Sequence, residues 1–351
     1  MKNYSVNPSE YIGDAVFSIK SNYTELQNKT KILYFDYLKK GKSVEQFEKK
    51  VSKLWDNIDH KFMDKQIAKL QEILHSTNVK YAIDIGRVEG IDYYKVGSQE
   101  WIINDEFFKL IPESDFNKIE KKFKERVVKS YTKANKVLSN KDEMYKEVYL
   151  EKKLETYDET NNQIVAYYNK DGGIQRYTQL SSYLSMLHNV DLTRSGWNQT
   201  MVDADKLNAN YFIIPYHPFS CEYCQMYQNR PLSRLEVEQV LGLEAEEQIG
   251  DILHPNCKCT LSILWDSSQI QRDDYSILEK EEQYKIRQRI NGLSLEANKT
   301  MVDIQLAKKM GNEGLADKLN NKLAKIYKKE QELINKLPTT ELKKQVEAIN
   351  R

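Results

Sequence analysis

The sequence contains no apolar run near the roughly 18 residues that a membrane-spanning helix requires. Its first twenty residues also lack the apolar core and the small-residue cleavage site of a secretory signal. These absences predict a chain that stays in the cytoplasm in which it is made. Glycine and proline are scarce, at 13 and 7 of 351 residues, which disfavours disorder and β-rich folds and favours long helices.

Neither sign of charge predominates, because 53 lysines and arginines are balanced by 52 aspartates and glutamates, for a net charge of +1. The balance excludes a global field that would draw the chain onto nucleic acid or anionic lipid, so any contact with DNA has to be local. The pairs Lys121-Lys122 and Lys328-Lys329 stand among glutamates. We interpret both pairs as solvated helix faces.

Common catalytic motifs are missing as well. The chain has no glycine-rich phosphate loop, and neither the Gly-x-Ser-x-Gly nor the His-Glu-x-x-His motif of hydrolases. His60, His75 and His188 are scattered along helical stretches, and we interpret them as packed or solvated side chains. No residue stands at a spacing that marks it as a general base. We therefore expect the protein not to be an enzyme.

Apolar residues at helical spacing predict that the N-terminal part of the chain is helical. A stripe over residues 44–62 lies on one face of a helix. Ser43 and Gln46 form a capping box at its start, and Gly41 ends the preceding helical segment. Another helix follows from Ile67.

Helical spacing returns after Pro112, with Ser114 as the expected cap, a break near Ser139 and an end near Tyr157. A last leucine stripe, ended by Pro338, predicts a C-terminal helix.

Strand patterns occupy the remaining segments. Residues 81–103 are rich in β-formers separated by glycines, which predicts short strands or an irregular insertion. Residues 163–168 and 174–177 flank an Asp-Gly-Gly turn and predict a hairpin. A helical segment follows, from Leu180 to about Asn210, and residues 211–214 read as a buried strand that leads into the cysteine region.

Together these patterns predict an α+β fold that is mainly α-helical. Long N- and C-terminal helices surround a small central α/β domain with a zinc knuckle. The expected domains are a helical region over residues 1–158 with a short β insertion near 80–105, the zinc-knuckle domain over 159–268, and a helical region over 269–351.

The four cysteines of the chain all lie in one short stretch. In a reducing cytoplasm, thiols confined in this way are typical of metal ligands rather than of disulfides. Cys221 and Cys224 form a Cys-x-x-Cys knuckle, and His254, Cys257 and Cys259 follow in His-Pro-Asn-Cys-Lys-Cys. A tetrahedral zinc ion needs four such ligands. The spacing predicts a structural Zn²⁺ whose function is to hold the shape of a small module.

Two ligand sets stay open at this point, because the second pair is either Cys257 with Cys259 or His254 with Cys257. Three other interpretations compete with a structural ion. The cysteines could be small apolar core residues, a thioredoxin-like redox pair, although the βαβ context is missing, or ligands of a catalytic zinc, which would need an open coordination position.

A series of motifs follows from residue 160 to 265. A hairpin precedes an aromatic helix ending in Leu192-Thr-Arg-Ser195, then a strand, a cysteine knuckle with Gln-Asn-Arg-Pro-Leu-Ser233, and finally His254-Pro-Asn-Cys-Lys-Cys259. This order resembles the minor capsid or head morphogenesis proteins of tailed bacteriophages. Their pattern leads through an Arg-Thr helix and a Cys-x-x-x-x-Gly knuckle to His-Pro-Asn-Cys-Arg-His or His-Pro-Asn-Cys-Arg-Cys. The Gly-Lys-Ser-Val-Glu-Gln-Phe47 segment is similar to the helical front of such proteins.

The resemblance places Arg194 at the family's arginine, Cys224 at its knuckle cysteine, and His254, Asn256 and Cys257 in its closing motif.

Three positions depart from the pattern. Asn229 stands where the family has glycine, and asparagine tolerates a left-handed backbone better than most residues. Cys259 stands where many members have histidine, an exchange between two zinc-ligand types that supports Cys259 as the fourth ligand. Lys258 replaces arginine, so bidentate hydrogen bonding is lost there.

The resemblance implies a low-copy structural protein of the phage head, near the portal vertex. It implies that the partners are the portal or the major capsid protein, with packaged DNA as a further candidate and no membrane in the assembled head. The protein would be found in the virion, and in the host cytoplasm during assembly. The alternative is a zinc-dependent nuclease or a DNA-binding protein delivered with the phage genome.

Overall fold

The computed structural model describes residues 8–56, 61–84, 111, 113–168, 174–215, 227–241, 257–265 and 275–337. Over these residues the chain is mainly α-helical, as predicted. The helices are α1 (Pro8–Lys39), α2 (Val44–Trp55), α3 (Lys61–Asp84), α4 (Glu113–Leu138), α5 (Glu143–Tyr157), α6 (Leu180–Leu207), α7 (Arg234–Leu241), α8 (Tyr275–Lys309) and α9 (Glu313–Ile334). In this part of the chain, no helix combines the length and apolar character needed to cross a membrane.

The described strands are short. They are β1 (Gln163–Tyr168), β2 (Ile174–Gln179), β3 (Tyr211–Ile213), β4 (Leu232–Ser233) and β5 (Ser262–Ile263). β1 and β2 form the predicted antiparallel hairpin. β3 is the predicted buried strand and lies between β4 and β5, antiparallel to both.

Contacts divide the chain into two compact units, each made of three separate stretches. The first unit comprises Met1–Ile19, Asp59–Pro112 and Ser185–Glu281, and the second comprises Lys20–Ile58, Glu113–Leu184 and Glu282–Arg351. The predicted domain boundaries after residues 158 and 268 stay a prediction.

The start of α2 confirms the predicted capping box. The Ser43 side chain accepts a hydrogen bond from the Gln46 N–H, and the Gln46 side chain accepts one from the Ser43 N–H, both at 3.2 Å. Gly41, with a φ of +59°, follows the end of α1, where a left-handed backbone favours glycine.

The prediction of a strand from Tyr81 is wrong for its first residues, because α3 continues to Asp84. Ile67, Leu70, Ile73, Leu74 and Val79 are all buried at helical spacing. This apolar face carries the helix past the point at which local β propensity rises. The rest of the predicted β insertion, residues 85–105, lies outside the described residues.

Aromatic rings fill the core of the second unit. Phe47 stacks on Tyr131 at a centroid distance of 4.0 Å. Tyr34 meets Tyr131 and Tyr157 edge-on, at 5.6 and 5.1 Å. These contacts bring α1, α2, α4 and α5 together, and they place the buried face of α4 inward.

One helix start, one helix break and one apolar stripe can be compared with the sequence prediction. α4 begins at Glu113, so Ser114 lies in its first turn and is not the cap, whereas the break at Ser139 is confirmed. Ile326 of the predicted stripe is buried in α9, and Leu337 is buried just after the helix. The other leucines of the stripe are half-buried, and the buried face of α9 also includes Ala316, Glu330 and Ile334.

Candidate metal centre

The second cysteine pair lies on an extended segment that leads into β5. Cys257 and Cys259 are 2% and 0% exposed, and both belong to the apolar core of the first unit, with Trp197, Met201 and Phe212. The other three candidate ligands, Cys221, Cys224 and His254, lie outside the described residues. The structure therefore describes two of the five candidate ligands.

Helix α6 binds this segment through a row of side chains. Asn189 Nδ2 and Thr193 Oγ1 donate to the Cys257 carbonyl oxygen at 2.7 and 3.1 Å. Trp197 Nε1 donates to the Cys259 carbonyl at 2.7 Å, and Thr200 Oγ1 donates to the Leu261 carbonyl at 2.8 Å.

The geometry of these bonds follows from the two periodicities involved. The donors are spaced by four, four and three residues, which places them on one face of a helix. The acceptors are alternate residues of an extended chain, whose carbonyl groups point to the same side. Every donor and acceptor is buried, so each bond avoids the cost of an unsatisfied polar group, about 1–3 kcal/mol. The row of hydrogen bonds therefore fixes the position of the cysteine segment along α6 and the direction in which the segment runs.

The sulfur of Cys257 accepts a hydrogen bond from the Cys259 N–H at an N···S distance of 3.4 Å. The thiolate is the form that binds metal, and a donor directed at the sulfur stabilises its negative charge. Two buried sulfur atoms on cysteines separated by a single residue fit the donor set that zinc prefers. Within the described ranges no group of three or more potential ligands occurs, so the complete site stays a prediction.

Lys258 stands between the two cysteines and is half-buried. Burial lowers its pKa, and the nearby Asp14 carboxylate partly offsets that effect by favouring the ammonium form. A cationic side chain at this point adds positive potential to the segment that carries the two sulfurs.

A buried carboxylate connects α3, α6 and β5 beside the cysteine segment. Asp203 accepts hydrogen bonds from His75 Nδ1 at 2.7 Å, Gln199 Nε2 at 2.8 Å and Asn78 Nδ2 at 3.1 Å. The Asn78 side-chain oxygen accepts from the Ile263 N–H at 3.4 Å. His75 is therefore a packed side chain, as predicted. We name these side chains the Asp203 network.

The two helices of this network approach each other closely at Gly196. A Cβ atom at that position would lie 2.9 Å from Leu74 Cδ1 and 3.3 Å from Leu70 Cδ2. The absence of a side chain therefore lets α3 and α6 pack tightly at this point.

Asp191 is a second buried carboxylate on α6. Burial raises its pKa to about 7, although the Ile111 N–H, which donates to it at 2.7 Å, and the Arg194 charge both act to lower it. Arg194 is the residue that the resemblance matched to the family's arginine. One of its effects is thus to offset the cost of burying Asp191.

Because the pKa of Asp191 is higher in the folded state, the folded protein binds more protons than the unfolded one between about pH 4 and pH 7. Stability should fall as pH rises through that window. We expect Asp191→Asn to be more stable than the wild type at pH 8, by on the order of 2 kcal/mol after relaxation of the site, and equal to it at pH 4. Urea unfolding at both pH values measures the difference. The exposed control Asp64→Asn should leave the pH dependence of the free energy of unfolding unchanged. If that free energy changes with pH equally in Asp191→Asn and in the wild type, Asp191 is not the group responsible.

The turn after the first cysteine pair is partly described. Asn229 has a φ of +53°, and its N–H donates to the Ile214 carbonyl at 3.0 Å. This confirms that asparagine accommodates a left-handed backbone where the resembled family has glycine.

Comparison of the chain with protein-family models, curated proteins and solved structures gave no match.

Proposed function

We propose that the chain is a minor capsid or head morphogenesis protein of a tailed bacteriophage, in which a structural zinc ion stabilises a small central α/β domain. One contact supports this most strongly. Thr193 of the Leu-Thr-Arg-Ser helix bonds to Cys257 of the His-Pro-Asn-Cys motif, at 3.1 Å. The two motifs on which the resemblance is based lie more than sixty residues apart in the sequence, yet they are in direct contact in the fold.

The zinc ion would be held by Cys221, Cys224, Cys257 and either Cys259 or His254. Its chemistry at this position is to join two segments of the chain by strong bonds to deprotonated sulfur. A structural role agrees with the burial of Cys257 and Cys259, because a catalytic zinc keeps an open position for water.

The proposed place of action is the phage head, next to the portal or the major capsid protein, after assembly in the host cytoplasm. Packaged DNA is a further candidate partner. A mainly helical chain with nearly balanced charge suits a component that assembles through local contacts rather than through a long-range field.

Purified particles of the phage that encodes this chain test the proposal. Mass spectrometry should find the protein in DNA-filled heads, at far fewer copies than the major capsid protein. Washing with salt controls for protein that adheres to the outside. Detection of the portal and the capsid protein without this chain would contradict the proposed function.

A further inference from the structure

Helix α4 departs strongly from the charge balance of the chain. Its 26 residues carry seven lysines and one arginine against four acidic residues. The sequence alone suggested that neighbouring glutamates neutralise the pair Lys121-Lys122. The structure allows that interpretation to be tested residue by residue.

The lysines and the core residues of α4 occupy opposite sides of the helix. Residues Phe116, Phe123, Val127, Tyr131, Ala134 and Leu138 are buried. At 100° per residue, six lysines lie within about 60° of the opposite direction. These are Lys118, Lys121, Lys122, Lys129, Lys133 and Lys136, all of them exposed. We name them the lysine face.

The acidic residues of α4 neutralise little of this face. Glu120 is buried, 4% exposed, and accepts a hydrogen bond from the Tyr23 hydroxyl at 3.2 Å. Asp115 pairs with Lys118 at 2.8 Å. Glu125 lies among the lysines but makes no ion pair with them. In the described ranges, the other five lysines have no carboxylate oxygen within the 4.0 Å that defines an ion pair.

Two lysines near α4 extend the positive charge, one in α5 and one in the loop before it. The pKa of Lys153 is lowered, first by burial and then by the charge of Lys133 nearby. Lys141 is exposed and lies over the Tyr145 ring at 5.1 Å. Repulsion among these cations costs stability in the free protein, and an anionic partner would relieve it.

We propose that the lysine face binds the phosphate backbone of double-stranded DNA. Lysine is a compact point charge, which suits contacts with phosphates that do not depend on base sequence. The five lysines that have no ion-pair partner among the described residues extend over about 22 Å of helix, a length along which one DNA strand carries about six phosphates. The choice of DNA rests on the proposed function, because packaged DNA is the polyanion that a head protein meets.

The composition of the face argues against a lipid surface. Helices that bind membranes present large apolar residues beside their basic ones. Only Glu125 and Thr132 stand between the lysines of this face, and most of the apolar side of α4 is occupied by the core. The exposed apolar side chains nearby lie beyond the last lysine of the face, at Val137, Met144, Tyr145 and Val148.

Fluorescence anisotropy with a labelled duplex of 30 base pairs, over a series of salt concentrations, tests the proposal. With five phosphate contacts, the slope of log K against log salt should be about −4 to −5. Combining Lys122→Gln, Lys129→Gln and Lys133→Gln should reduce the magnitude of that slope by about 3 and weaken binding on the order of 100-fold at 0.1 M salt.

A matched control removes the same net charge elsewhere. Lys29, Lys69 and Lys322 are each ion-paired, at 2.6, 2.8 and 3.1 Å from Glu25, Glu72 and Glu296. The control with glutamine at these three positions should bind DNA like the wild type. Equal weakening of both triple variants, no weakening of either, or no binding of the duplex by the wild type would overturn the proposal.

Two further measurements separate the possible outcomes. Equal affinity of the wild type for polyglutamate would assign the face to an acidic protein and not to DNA. Circular dichroism and zinc content of the triple variant should match the wild type, since no substituted side chain is buried. If the protein is found in virions but fails the DNA assay, this inference fails while the proposed function stands.

Discussion

Chelation of zinc is expected to unfold the first unit of the reduced protein. The ion would join Cys257 and its neighbours to the other cysteine pair, and structural zinc sites contribute about 10 kcal/mol or more of apparent binding free energy. That value matches the whole stability of a typical domain, about 5–15 kcal/mol. Circular dichroism during titration with EDTA should therefore show loss of part of the helical signal, while the second unit retains its own aromatic core.

A control has to show that EDTA unfolds the protein by removing zinc and not by another effect. EDTA already saturated with zinc is the control, and it should leave the spectrum unchanged. Cys257→Ser should reproduce the unfolding without chelator. If thermal unfolding is the same with and without EDTA, and Cys257→Ser is as stable as the wild type, the cysteines are core residues and not ligands.

The same titration decides the fourth ligand. Cys259→Ser should lower zinc affinity strongly if the site has four thiolates, whereas His254→Ala should do so if the histidine binds. We expect the larger loss for Cys259→Ser, because its side chain is completely buried beside Cys257.

Asp203→Ala should destabilise the first unit by about 3–5 kcal/mol. The substitution leaves the buried donors of His75 and Asn78 and the half-buried donor of Gln199 without their acceptor, and each unsatisfied buried group costs about 1–3 kcal/mol. Urea unfolding followed by circular dichroism measures the change in the free energy of unfolding.

Asp205 provides a matched control two residues further along α6. Its carboxylate is exposed and pairs with Arg234 at the surface. Asp205→Ala should cost less than about 1 kcal/mol, as is usual for exposed ion pairs. A cost for Asp203→Ala no larger than that of the control would show that the Asp203 network does not support the fold.

Local patterns in the sequence predicted those parts of the fold in which local and tertiary preferences agree. The capping box of Ser43, the hairpin of β1 and β2 and the buried strand β3 are examples. The strand expected from Tyr81 was wrong because the buried face of α3 outweighs the local preference of its last turn. Propensity is a weak guide where such packing competes with it.

The candidate site was predictable only in part, for a related reason. The cysteine spacing is a local signal, so the residues of the predicted zinc site could be named. The donors on α6 act across about sixty residues, and asparagine and threonine in a helix do not reveal their acceptors. Trp197 gave the one indication in the sequence, because the indole N–H of a buried tryptophan needs a hydrogen-bond acceptor. Its acceptor, the Cys259 carbonyl, follows only from the structure.

The zinc content of the purified protein tests the central claim most directly. Inductively coupled plasma mass spectrometry of untagged protein, kept reduced during purification, should find about one zinc ion per chain. The four thiols should then react with a thiol reagent only after chelation. The proposed zinc site is contradicted if the protein contains no zinc above the buffer blank and its thiols react identically with and without a chelator.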